Sequence, residues 1–313
     1  MRALSEAQVR QANEIMIEQL TTPGMEKRAL DAVNDFTRVK IREEGFYRKI
    51  MPMTMVSNDQ LTRRIDDDKP FVVVDKEPGS PAAMTIPFGQ LPRSTYILGP
   101  RYGVGFARLV TYRFLKDKDE LRTYIMDIRQ VISDNAVKDM QAEEDTKFIS
   151  ACNSLMLGPD LPVPYNGNVV QWETISSGIS REGWVDALKI MPRGPSNLQA
   201  RVVLMNQITG MEMMKWGRDE MGGDLSQDIA KNGWAETEFL GRKLYFTIKR
   251  ELIPDDTMFF FADPSFIGKS FVLEDLTMFL DRKAWMLEFF MYQLIGGGIG
   301  HSGGIARADF AAA

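Results

Sequence analysis

The chain has 313 residues, 44% hydrophobic and 26% charged, enough to bury a sizeable core and too apolar for disorder. Its net charge of −5 and pI of about 5.2 argue against a dedicated DNA-gripping protein and leave room for an acidic container of DNA. One cysteine, Cys152, excludes an intrachain disulfide or a multi-thiolate metal site and fits synthesis in a reducing compartment. No apolar run reaches the roughly 18 residues that span a bilayer, and the stretch after Met1 lacks a signal-peptide core.

Ser5 to Leu20 is predicted helical: Ser5 and Gln8 form a capping box, and Ala12, Ile15, Met16 and Leu20 share a face. Thr21-Thr22-Pro23-Gly24 breaks that helix, and a second helical stretch runs from about Glu26 to Glu44, stopping at Gly45. From Ile50 to Leu115 the pattern changes to short strands and turns punctuated by Pro52, Pro70, Pro78, Pro81, Pro87, Pro92 and Pro100. Proline donates nothing to a sheet ladder, so this excursion is predicted to be edge strands and exposed loops. Its apolar pieces, Phe71-Val72-Val73-Val74 and Thr95-Tyr96-Ile97-Leu98, are too short to form a core and need a neighbour to lie on.

Asp117 to Leu155 is the longest helical segment, on the order of 58 Å if unbroken. Leu121, Tyr124, Ile125, Ile128, Ile132, Ala136 and Met140 hold helical spacing, and Phe148, Cys152 and Leu155 resume it. The polar middle, Ser133 to Lys147, is expected to face solvent or polar partners. A loop from Leu157 to Gly178 precedes an alternating unit: helix Arg181–Ile190, strand Gln199–Met205 and helix Gln207–Lys215. Gly217 to Gly233 is predicted to be helix and exposed loop. The last third alternates at period two through Leu244–Lys249, turns at Pro254-Asp255-Asp256, and continues as strand Thr257–Phe261. Apolar runs Leu273–Leu280 and Ala284–Ile295 are joined by Asp281-Arg282-Lys283, which is expected to be a hairpin tip. The glycines from Gly296 to Gly300 are expected to form a flexible connection, and Gly304 to Phe310 closes the chain. The twenty methionines read mainly as core fillers.

The chemistry-bearing motifs fail on context. Gly268-Lys269-Ser270 resembles the end of a phosphate loop, but Asp263 stands where that motif needs its first glycine, and no long helix follows. Gly103-Val104-Gly105 lacks a third glycine and sits in a strand-like run. The sole histidine, His301, has no cysteine or second histidine beside it. Asp66-Asp67-Asp68 is expected to be a solvated tip or an ion-pair donor to a neighbour, with Lys69 and Glu77 nearby. No nucleophile, base and anion hole come together, so no enzyme activity, catalytic residue, metal or cofactor is expected.

The α+β order is therefore helical arm, proline-rich β excursion, long helix, α/β middle and long returning strands. With Ile253-Pro254-Asp255-Asp256-Thr257, Ala262-Asp263-Pro264, Ile267-Gly268 and Gly304-Ile305-Ala306-Arg307-Ala308-Asp309, it resembles the major capsid proteins of tailed bacteriophages, the Hong Kong 97-type fold. The resemblance implies an N-terminal arm over 1–49, an extended E-loop over 50–115, and a peripheral domain with its spine helix over 116–180. It also implies an axial domain over 181–273, a peripheral hairpin and connection over 274–303, and a final axial strand and tail over 304–313. The opening at Met1 implies that no long scaffolding region is cut away. By the same resemblance, the chain would self-assemble as hexamers and pentamers into an icosahedral head, made in the bacterial cytoplasm and retained in the virion. Portal, scaffold and cement proteins would be its partners, with double-stranded DNA packaged without sequence-specific binding and no membrane. Asp66, Asp67, Asp68, Lys69, Glu77, Asp281, Arg282 and Lys283 are the candidate assembly residues. The alternatives are an encapsulin-type compartment and, from another class, an α/β enzyme or ligand-binding protein.

Overall fold

The computed structural model describes residues 11, 15, 45–63, 68–76, 85–92, 94, 99–117, 120, 128–156, 171–194, 197–213, 216, 237–283 and 285–311. Residues 11 and 15 are helical. The rest of the expected arm before Gly45, Thr95–Leu98 and the Gly217–Gly233 segment lie outside the described residues.

The most apolar strand organises the larger body. β11, Thr257–Phe261, is buried along its whole length because strands flank both its edges and helices cover both its faces. It pairs antiparallel with β14 (Ile305–Phe310) and with β8 (Val202–Asn206). The sheet runs β7-β14-β11-β8-β10-β9, with β7 at Trp172–Ile175, β9 at Thr237–Phe239 and β10 at Arg242–Thr247. β9 and β10 meet through the two-residue turn Leu240-Gly241, both at positive φ (50° and 71°), as a tight hairpin requires. One face carries helix α3 (Arg181–Lys189), whose Trp184 meets Phe260 edge-on at 6.2 Å. Ser180 Oγ caps α3 by accepting from the Gly183 amide at 3.1 Å. On the other face, Phe261 stacks on Phe148 of the long helix α2 (Ile128–Leu155) at 5.5 Å. Helix α4, Gln207–Met213, follows β8 directly.

The second body is a hairpin of β12 (Gly268–Lys283) and β13 (Met286–Ile299); β12 runs past its apolar run at both ends, and β13 past its own only at the hairpin base. Asp281, Arg282 and Lys283 are the last strand residues of β12, Lys283 pairs Met286, and Trp285 stands in the turn. β5 (Ala107–Val110) and β6 (Phe114–Asp117) pair along β13, while β1 (Met53–Met55) pairs parallel to the start of β12. The first half of α2 packs on this sheet, seating Ala136, Val137 and Met140 against Leu276, Met278, Leu287, Phe289 and Met291. The buried methionines, among them Met205, Met258, Met278 and Met291, fill these two cores.

A three-stranded sheet, β2 (Thr62–Arg63), β3 (Pro70–Asp75) and β4 (Arg101–Gly105), rises from the hairpin base on its own small core of Val56, Val72, Val74, Val104 and Phe271. The glycine cluster corrects the expected flexible linker: Gly296, Gly297 and Gly298 lie inside β13, paired with Phe271, Ser270 and Lys269. Glycine is required there for close approach. A Cβ on Gly297 would stand 2.4 Å from Tyr47 Oη, and one on Gly298 2.4 Å from the Val104 side chain. The tightest case is Gly268, where a Cβ would stand 2.0 Å from the Gly298 carbonyl oxygen, a backbone atom that cannot swing aside. Gly268→Ala is therefore expected to destabilise by ~1–3 kcal/mol in denaturant melts. Gly105→Ala, whose Cβ meets open space, should be near neutral in the same assay.

Candidate assembly surface and the joint behind it

Helix α2 serves both bodies. Its residues Ala136, Val137 and Met140 belong to the hairpin core, and Phe148, Ile149, Cys152 and Met156, just past its end, to the six-stranded core. Between these apolar stretches, at the same helical phase, stand Gln141, Glu144 and Asp145, all buried. The polar middle predicted to meet solvent or polar partners does both: Lys138, Asp139, Glu143 and Lys147 face solvent, while Gln141, Glu144 and Asp145 meet partners inside the molecule.

Each acid is held by a different element. Glu144 takes two hydrogen bonds from the Arg48 guanidinium, at 2.9 and 2.8 Å, and a third from the Gln293 amide. Arg48 also donates to Gln293 Oε1 at 3.0 Å, and it comes from helix α1 (Phe46–Ile50). Asp145 accepts from the Tyr47 backbone N–H at 3.0 Å and from Lys249 Nζ at 2.6 Å. Burial raises the Asp145 carboxyl above the ordinary carboxylate range, and the Lys249 ammonium opposes that rise. Burial likewise pushes the Tyr47 phenol up to about 12, against the hydrogen bond it shares with Ser270 Oγ at 2.7 Å. It also raises the Cys152 thiol, which suits a packing residue and not a nucleophile. Sequence reading missed this layer. Its only signal was that Gln141, Glu144 and Asp145 continue the buried phase from Val137 to Phe148.

The family-like strings lie at the two ends of β11 and along β14, Thr257 beside Asp309 at one end and Ala262 beside Gly304 at the other. Asp309 accepts from Trp172 Nε1, from Thr257 Oγ1 at 2.9 Å and from Arg307 Nε at 2.9 Å, tying three strands together. Asp255 accepts from Asn206 Nδ2 at 2.6 Å, and Asp256, at φ 61°, donates its N–H to Thr209 Oγ1. Asp263 caps the short helix α5 (Pro264–Ile267), its carboxyl held below the ordinary range by the Ser265 hydroxyl and amide. These acids are structural fasteners.

Of the candidate assembly residues, Asp66, Asp67 and Glu77 lie outside the described residues, as does the Arg282 side chain. Asp68 is exposed and ion-paired with Arg63, and Lys69 is exposed beside it. Both precede β3 at the end where Phe71 pairs Gly105, near the hairpin base, whereas residue 76 onward leaves the opposite end. The strand β3 thus stands between Asp68 and Lys76, about 20 Å for six extended residues. Asp281 and Lys283 are exposed beside Trp285, itself 67% exposed, at the hairpin turn. Lys283 Nζ reaches Glu288 Oε2 at 3.0 Å and holds that carboxyl below its ordinary range, with Arg113 helping at 2.9 Å. Phe88 and Leu91, missed as candidates, are fully or almost fully exposed on segment 85–92.

The rejected motifs stay rejected in three dimensions. Gly268-Lys269-Ser270 opens β12 as an extended strand, and His301 Nδ1 accepts from the Gly303 amide at 3.1 Å in a short turn. Among the described residues no group of three or more His, Cys, Asp or Glu side chains is arranged to hold a metal, and no helix is long and apolar enough to cross a membrane.

Solved structures resemble this chain over most of its length. A virus-like particle from Pyrococcus furiosus matches 90% of this chain and 98% of its own at TM-score 0.57 and 15% identity. The capsid of cyanophage P-SCSP1u matches 87% and 90% at TM-score 0.56 and 11% identity. The mature capsid of bacteriophage PhiM1 matches 86% and 88% at TM-score 0.55 and 7% identity. No family model matches the sequence, and no curated protein does either. At these identities the likeness is one of fold: the chain has the Hong Kong 97-type capsid fold, with the two cores, long helix, hairpin and side sheet described above.

Proposed function

We propose that this chain is the major capsid protein of a tailed bacteriophage, assembling with copies of itself into the icosahedral shell of the head. One observation carries the reading: shell subunits match this fold over nine-tenths of the chain and nearly all of their own length. The exposed apolar side chains of segment 85–92 support it, because a solvated monomer gains nothing from them and a neighbouring subunit does. On this reading 1–49 is the arm and 50–115 the E-loop that lies across an adjacent subunit. The peripheral domain, expected over 116–180 and 274–303, is the hairpin sheet from Gly268 with the first half of α2, and the axial domain, expected over 181–273 and 304–313, is the six-stranded sheet with β7 included. Hexamers and pentamers, a portal, a scaffold and cement proteins are its partners. The acidic chain encloses double-stranded DNA without gripping it, in a virion built in the bacterial cytoplasm. The fold needs no catalytic residue for this work.

Electron microscopy of the purified full chain tests the proposal. Closed shells are expected, and a small soluble oligomer would sink it. A second reading, an encapsulin-type compartment, draws on the similarity to the archaeal virus-like particle. Nucleic acid recovered from nuclease-treated particles separates the two, since a compartment would hold a protein cargo instead. The hairpin end is proposed as a junction between capsomers, through Asp281, Arg282, Lys283 and Trp285. Arg282→Glu is then expected to cut the yield of closed shells in gradient sedimentation while leaving the monomer's melt unchanged. Wild-type yield would remove the junction.

A further inference from the structure

The polar layer of α2 has two halves that differ in how they are held. Glu144 is gripped by three donors from Arg48 and Gln293, on α1 and β13, and neither side chain is open to solvent. Asp145 has one backbone donor, the Tyr47 N–H, and one side-chain donor, an ammonium that also lies over the Phe46 ring at 5.6 Å. That second donor is Lys249, whose side chain is 30% exposed while the carboxylate is 1% exposed.

Lys249 belongs to the other body. It stands two residues past β10, its N–H bonded to Thr247 Oγ1 at 3.1 Å. Its carbonyl accepts from the Leu252 and Ile253 amides at 3.2 and 3.1 Å, closing a turn that leads into the buried Ile253. The Lys249–Asp145 pair is thus a direct side-chain tie between the strand end of the six-stranded body and the point where α2 leaves that body for the hairpin.

We propose that Asp145 and Lys249 form a proton-released latch between the six-stranded body and the long helix, with Arg48, Glu144 and Gln293 as the pivot that stays closed. A proton on Asp145 Oδ2 removes the acceptor that Lys249 uses, and the ammonium, already at the surface, returns to water. The Tyr47 N–H keeps Oδ1, so the helix does not lose its seat. The charged and titratable groups around Asp145 are Lys249 from the β10 turn, Tyr47 and Arg48 from α1, and Glu144 on its own helix; β13 contributes only the neutral Gln293. Of these only Lys249 is part-exposed and able to respond by moving.

The direction of the pH effect follows from burial. The folded carboxyl binds its proton at a higher pH than the unfolded one, so this group favours the fold at acid pH, and that contribution is lost as pH rises through the raised value. Acid therefore opens the latch without unfolding the chain through this group. Reciprocity sets the size: each pKa unit by which Lys249 lowers Asp145 corresponds to a roughly tenfold weaker hold on Lys249 once the proton is on.

Amide hydrogen exchange on the full chain, corrected for intrinsic rates, reads the latch at Leu252 and Ile253. Between neutral pH and the most acidic pH at which the chain stays folded, wild type is expected to lose protection there, roughly tenfold for each pKa unit that Lys249 contributes, with Ala136–Met140 unchanged. D145N and K249M should show the fast exchange at both pH values. The wild-type comparison needs no substitution, so a misfolded variant does not rescue the idea. Constant protection in wild type overturns it, as does a D145N chain that keeps the acid response or stays protected throughout. Neither result bears on whether the chain forms shells.

Discussion

Excising residues 77–99 and joining Lys76 to Pro100 through an Asn-Gly turn is expected to abolish closed shells while leaving a soluble, folded subunit. The stump is self-supporting: β3 and β4 pair over five positions, Asp75 meets Arg101 at 2.8 Å, and the Lys76 amide reaches the Pro100 carbonyl at 2.8 Å. An Asn-Gly turn suits a two-residue hairpin closure. The small core of Val56, Val72, Val74, Val104 and Phe271 is untouched. What leaves is the segment bearing Ile86, Phe88 and Leu91, exposed on the subunit. Burying two such side chains against a neighbour is worth about 3–6 kcal/mol per contact, repeated around every capsomer. Sizing and negative-stain microscopy decide the matter, and normal particles from the shortened chain would refute the proposed role of the loop.

Arg48→Met should produce the largest loss of subunit stability, about 3–5 kcal/mol in denaturant unfolding. Glu144 is 1% exposed, so without the guanidinium its charge stays buried with only the Gln293 amide as partner. The cost is that of stranding a charge, and the pair itself need not stabilise the fold. The double variant Arg48→Met/Glu144→Leu should therefore recover most of the loss, because an apolar pair of similar volume replaces both ions. A single variant that melts like wild type would show that water reaches Glu144 and that the layer is not a buried joint.

Much of this was legible beforehand, and the physical reason is periodicity. The apolar run within Thr257–Phe261, the pattern of Arg181–Lys189 and the helical spacing through Met140 and Cys152 each report a local environment, and strand or helix formed there, although Asp117, expected to open the long helix, ends β6 instead. Reading failed where the environment is set by residues distant in sequence. Gly296, Gly297 and Gly298 carry the composition of a linker, yet they are strand residues made small by Tyr47, Val104 and Tyr102. Asp281-Arg282-Lys283 has the composition of a turn, yet cross-strand register with Glu288, Leu287 and Met286 carries the strand through all three.

The candidate surface divides the same way. Exposure of Phe88, Leu91 and Trp285 cannot be known from residue type, because an apolar side chain is first expected inside. The acids of α2 mislead in the opposite sense: charge predicts solvent, and burial is tolerated only because Arg48 and Lys249 arrive from 96 and 104 residues away. The sequence by itself determined the main elements of the two cores, their order and the capsid-like fold, since these rest on local pattern. Tertiary structure alone decided that the long helix joins two cores through a polar layer, and that glycines mark a packed crossing and not a hinge, because both depend on which distant atoms come within a few ångströms.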